Sequence, residues 1–92
     1  MTSVTTDDCA IYVLDVPEFS ALVTTLRDTP GISIEKHGDY FVARSAGEIV
    51  VQRRATGVGH AVWFGALTGG IRGRIVTFSG DELRVAPLTS DR

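Results

Sequence analysis

Apolar and polar positions change period several times along this chain, and each change marks an element. Ala10-Ile11-Tyr12-Val13-Leu14 is a short unbroken apolar run, which reads as a strand. Phe19, Leu22, Val23 and Leu26 follow at i, i+3, i+4 and i+7, the stripe of an amphipathic helix. Asp15 offers an N-cap, Pro17 suits a first turn, and Glu18 stands at capping-box spacing from Asp15. Asp28-Thr29-Pro30-Gly31 stops that helix. Ile32 and Ile34 then alternate with Ser33 and Glu35, so a second strand begins there. His37-Gly38-Asp39 turns it, and residues 40–44 return. After another turn at Ser45-Ala46-Gly47, residues 48–53 form the next strand. Near the end, residues 71–78 and 82–85 flank Ser79-Gly80-Asp81, a hairpin signal.

The stretch 57–70 fits neither period cleanly. As a strand, residues 61–67 would be apolar on both faces. As a helix, Trp63 and Leu67 share one line, and Gly69-Gly70 supplies a left-handed end. A short helix is the expectation. The element order is then β-α-β-β-β-α-β-β, an α+β domain with one antiparallel sheet of about six strands and two helices on one face. Polar, threonine- and aspartate-rich ends suggest tails at 1–8 and 88–92 around a domain spanning 9–87.

Composition narrows the function classes. A chain of 92 residues with 43% hydrophobic and 22% charged positions is one small globular domain. Such a chain buries only about two-thirds of its unfolded surface, so a homodimer is expected to add buried apolar area. The formal charge of −2 lacks the positive field that nucleic-acid binding needs. No apolar run reaches the ~18 residues of a membrane span. The single cysteine, Cys9, allows no internal disulfide. With an acidic start and no leader-like segment, a cytoplasmic protein is expected.

Six of the ten glycines lie between Gly57 and Gly73. Gly57-Val58-Gly59 fails the dinucleotide fingerprint, because Val62 stands where its last glycine should be. Gly65 to Gly70 lacks the Lys-Ser/Thr pair of a phosphate loop. These glycines read as backbone devices, and no cofactor is expected. His37 and Asp39 are too few for a metal site, and nothing near them in sequence completes one. No serine occupies a nucleophile elbow.

The arginines carry the clearest chemistry. Arg53 and Arg54 end one expected strand, while Arg72 and Arg74 share one face of another. Guanidinium forks suit carboxylates and phosphates. These four arginines together with Trp63 are the candidate ligand-binding set. The leading expectation is a non-catalytic module, acting as a homo-oligomer, that binds a protein partner or a small anionic ligand. The alternative is a small isomerase- or hydrolase-type enzyme. In it His60, at the start of the second helix, is the general base, Arg72 and Arg74 hold an acidic substrate, and Tyr40 assists.

Overall fold

The computed structural model describes residues 8–88; apart from Asp8 and Leu88, the expected tails lie outside them. The chain runs β1 (Cys9–Leu14), a 3-10 turn (Pro17–Phe19), α1 (Ser20–Asp28), β2 (Ser33–His37), β3 (Tyr40–Ser45), β4 (Ile49–Gln52), α2 (Arg53–Thr56) and α3 (His60–Gly65). A second 3-10 turn (Ala66–Gly69), β5 (Ile71–Arg72), β6 (Arg74–Phe78) and β7 (Glu82–Ala86) complete it. The domain is α+β with antiparallel strands, as the periodicity predicts.

The expected single sheet is divided in two. One sheet has the order β2-β3-β1-β5 and the other β4-β7-β6. The division falls at Gly73, inside the stretch that reads as one strand. Before it, Ile71 and Arg72 pair with Ile11 and Ala10 of β1; after it, Arg74 pairs with Ala86 of β7. Gly73 has φ 131°, and a Cβ there would stand 2.6 Å from the Ala86 carbonyl oxygen and 3.0 Å from the Cys9 Cβ. Only glycine lets the chain step between sheets at this point.

Two local expectations are also corrected. Asp15 does not cap α1, whose N-cap position is Phe19 with no side-chain cap bond. Its carboxylate instead pairs with Lys36 Nζ at 2.9 Å, while Pro17 takes the first position of the preceding 3-10 turn. The strand expected over 48–53 stops at Gln52. Arg53–Thr56 makes one helical turn, which ends on left-handed Gly57 at φ 78°.

Both sheets close on one core. Cys9, Ile11, Val13 and Ala43 come from the first sheet, and Ile49, Val51, Leu83 and Val85 from the second. The α1 stripe adds Leu22, Val23 and Leu26, all buried. Trp63 is 1% exposed, its ring 6.1 Å from that of Phe78. Its indole Nε1 donates to the Ser79 carbonyl at 2.7 Å, so the polar end of the ring is satisfied inside the core. The glycine-rich stretch is helical as expected, and Gly70 ends it at φ 96°. Among the described residues, no helix is long and apolar enough to cross a membrane.

Candidate anion-binding face

Residues directly opposed across antiparallel strands share a face of the sheet. In the four-stranded sheet, Cys9, Ile11 and Val13 of β1 face the core with Ala43 of β3. The alternate residues therefore line the other side. One row across that side is Ser33, Arg44, Ala10 and Arg72, from β2, β3, β1 and β5 in turn. The next row is Glu35, Val42 and Tyr12, and the last is His37, Tyr40 and Leu14. Ala10 and Val42 are buried, yet neither belongs to the core cluster.

Arg44 is the most informative residue on this face. It is half-buried in the middle of the sheet, and its Nε is sealed from solvent without a hydrogen-bond partner. Among the described residues it makes no ion pair. A sealed, unpaired N–H of a charged group is costly, and such groups call for a reason. Arg72 stands two strands away in the same row, a backbone separation of about 10 Å at the usual strand spacing. Small Ala10 lies between them. Two guanidinium groups so placed can converge on one carboxylate or phosphate.

Aromatic rings border the two arginines. Tyr40 is 37% exposed. Its ring reaches the far side of β1, where a Cβ on Gly69 would come within 2.8 Å of its Cε1 and collide with the Tyr12 carbonyl. Glycine at 69 thus lets the second 3-10 turn lie against β1 and the ring lie over that turn. Tyr12 occupies the row between Tyr40 and the arginines. At the rim, His37 Nε2 and Glu35 Oε1 are 2.8 Å apart. The hydrogen bond from His37 holds the Glu35 carboxyl below its usual range, and the Arg44 charge adds to that. A carboxylate-oriented histidine can serve as a base, but this pair is more than half exposed, at 54% and 58%. The arrangement suits capture of an anion better than proton transfer in a closed site.

The fold brings two of the sequence candidates, Tyr40 and Arg72, onto this face and sends the others elsewhere. Arg74 starts β6 in the other sheet. His60 lies against the hairpin turn beyond the end of β6, its ring 3.2 Å from where a Cβ on Gly80 would be. Arg74 and Phe78 alone are roughly 13 Å apart along the strand, so Arg74 and His60 stand at opposite ends of β6. Arg53 is committed to structure. Its Nε donates to the Gly80 carbonyl at 2.9 Å, its Nη1 to the Val58 carbonyl at 3.0 Å, and its Nη2 reaches Asp81 at 3.4 Å. Arg54 is exposed on α2, and Trp63 is sealed in the core. The sequence reading missed Arg44 and Tyr12. The signal that could have found them was the strand period, which places Tyr12, Tyr40 and Arg44 opposite the core-facing residues.

Two further features belong to other parts of the surface. A cleft of about 160 Å³ opens between α1 and the sheet, lined by Leu14, Val16, Val23 and Phe41 with Arg27 at its edge. It is small beside the several hundred Å³ of most ligand pockets. The Cys9 thiol is buried, donates to the Gly47 carbonyl at 3.0 Å, and has its pKa pushed up by burial. That makes it a poor nucleophile. Among the described residues, no three His, Cys, Asp or Glu side chains gather as a metal set.

No protein-family model matches the chain, and no curated protein matches it in sequence.

Proposed function

We propose that the protein is a non-catalytic binding module whose outer sheet face takes a small anionic ligand. Arg44 and Arg72 supply the charge, and Tyr12 and Tyr40 supply apolar walls. The observation that carries this reading is Arg44: half-buried, without an ion pair among the described residues, and with Nε sealed and unpaired. Among the described residues no hydrogen bond is made by the Nε of this guanidinium, and its outer nitrogens can donate to an anion from solution. A ligand with one carboxylate or phosphate and an attached ring matches this chemistry, since aromatic faces and arginine forks recognise those parts together.

Phenyl phosphate is a suitable probe. Titration followed by amide NMR should shift Tyr12, Arg44 and Arg72 and leave His60 and Arg53 unmoved. Arg44→Gln and Arg72→Ala should each weaken binding by about 10- to 100-fold, the worth of a charge-assisted hydrogen bond. His60→Ala should leave binding unchanged. Shifts centred on His60, or no saturable binding, would reject the reading.

A further inference from the structure

The cleft between α1 and the four-stranded sheet lies on the side away from Arg44 and Arg72. Phe41 pairs with Val13, a core residue. Its ring therefore turns toward α1, while Tyr40 and Val42 on either side of it face outward. The strand side of the cleft gives Leu14, Val16 and Phe41, all half-buried. The helix gives Ser20, Val23, Thr24 and Arg27. These stand at i, i+3, i+4 and i+7, one side of a helix. That side borders the core stripe of Leu22, Val23 and Leu26 and shares only Val23 with it.

The space enclosed is about 160 Å³. An apolar cavity of about 150 Å³ holds a benzene molecule, so the cleft has room for a hydrocarbon of about six carbons. Val23, 5% exposed, and the Phe41 ring give it an apolar floor.

The charges at the mouth say what such a hydrocarbon should carry. Asp15 and Arg27 are the two charged lining residues. Asp15 is already neutralised, its Oδ2 lying 2.9 Å from Lys36 Nζ. The same ammonium sits over the Phe41 ring, 5.3 Å from its centre, an attraction that helps to hold the pair in place. Arg27 is exposed and makes no ion pair among the described residues. Asp28, the next residue, is turned about 100° around the helix and is not part of the lining. Lys36, Asp15 and Arg27 together leave one positive charge at the mouth. The Ser20 hydroxyl donates to the Pro17 carbonyl at 3.0 Å, so Thr24, one turn before Arg27, is the hydroxyl placed to assist the cation.

We infer that this cleft is a ligand site separate from the outer face, and that it takes a short hydrocarbon monocarboxylate. The hydrocarbon lies on Val23 and Phe41, and the carboxylate meets the Arg27 guanidinium and the Thr24 hydroxyl. A single cation above an apolar floor suits a monoanion, whereas the outer face offers two arginines. The cleft shares no residue with that face, so either idea can fail alone.

The probe is 4-methylpentanoate, which has no ring for Tyr12 and Tyr40 to recognise. Titration followed by amide NMR should give saturable shifts at Val16, Thr24, Arg27 and Phe41, with a dissociation constant of about 1 mM, as befits so small a ligand. Saturating phenyl phosphate should leave that constant unchanged. Thr24→Phe, at an exposed position, should plug the mouth and abolish binding. Arg27→Gln should weaken binding by about two- to fivefold, the worth of an exposed ion pair. The matching alcohol, 4-methylpentan-1-ol, should bind the natural chain more weakly than the acid by a similar factor, and the Arg27→Gln variant should no longer distinguish the two. Shifts centred on Tyr12, Arg44 and Arg72, no saturable shifts, or equal binding of acid and alcohol by the natural chain would overturn the inference.

Discussion

The two sides of the four-stranded sheet are built from the same strands and have opposite characters. Toward the core stand Cys9, Ile11, Val13 and Ala43, apolar or nearly so, and each is at most 1% exposed. On the outer side the same strands carry Tyr12, Tyr40, Arg44, Arg72, Glu35 and His37. The inner side is packed hydrocarbon, with the Cys9 thiol satisfied by the Gly47 carbonyl. The outer side holds a guanidinium nitrogen that is sealed yet unpaired. A strand alternates mechanically, so the inner residues are fixed by folding. The outer ones are not fixed by that packing, and Arg44 Nε is the unsatisfied group among them.

Substitutions that damage the inner side should cost most. Trp63→Ala removes a fully buried ring and leaves the Ser79 carbonyl without its donor, so a loss of about 3–5 kcal/mol is expected in chemical denaturation. If the loss were below about 1 kcal/mol, Trp63 would not be the core anchor. Gly73→Ala comes next. It forces a side chain into positive φ against the Ala86 carbonyl, at a cost of about 2 kcal/mol or more. Gly47→Ala, where nothing lies within 4 Å of the added Cβ, should stay within about 0.5 kcal/mol. Equal effects at the two glycines would contradict the role given to Gly73 as the step between sheets.

Acid should act on the polar rims with a smaller effect. The Glu35 carboxyl is lowered by its hydrogen bond with His37, and that of Glu82 by Gln52 and then Arg84. In the folded state both hold protons less tightly than in the unfolded chain. Their contribution is therefore complete above the ordinary glutamate range near about 4.3 and is lost as pH falls through the lowered folded values. Thermal unfolding followed from pH 6 down to pH 3 should show this decline, and Glu35→Gln should make it shallower. An unchanged slope in that variant would remove Glu35 from the explanation.

Much of the inner architecture was legible in the sequence. The stripe of Leu22, Val23 and Leu26 marked α1, and alternation around His37-Gly38-Asp39 marked the β2–β3 hairpin. Both signals come from burial, which leaves a period behind. The division into two sheets was not legible, because it turns on a single residue. Gly73 looks in sequence like any glycine within a strand, and only the approach of Ala86 and Cys9 reveals its task. The outer face was half legible. Arg72 and Tyr40 drew attention, but the reading grouped arginines that are neighbours in sequence. It therefore joined Arg72 to Arg74, which the fold parts, and missed Arg44, which registry through Ala10 brings into the same row. Pairing of distant strands sets that row, and no local pattern reports it.

The most direct test of the outer face is Arg44→Leu, with stability and phenyl phosphate binding measured on the same sample. If Arg44 serves a ligand, the substitution removes a sealed, unpaired N–H, so stability should be unchanged or should rise by up to about 1 kcal/mol, and binding should be lost. A protein destabilised by about 2 kcal/mol or more that still binds phenyl phosphate with its original affinity would show that Arg44 is a structural residue and that the outer face is not the site.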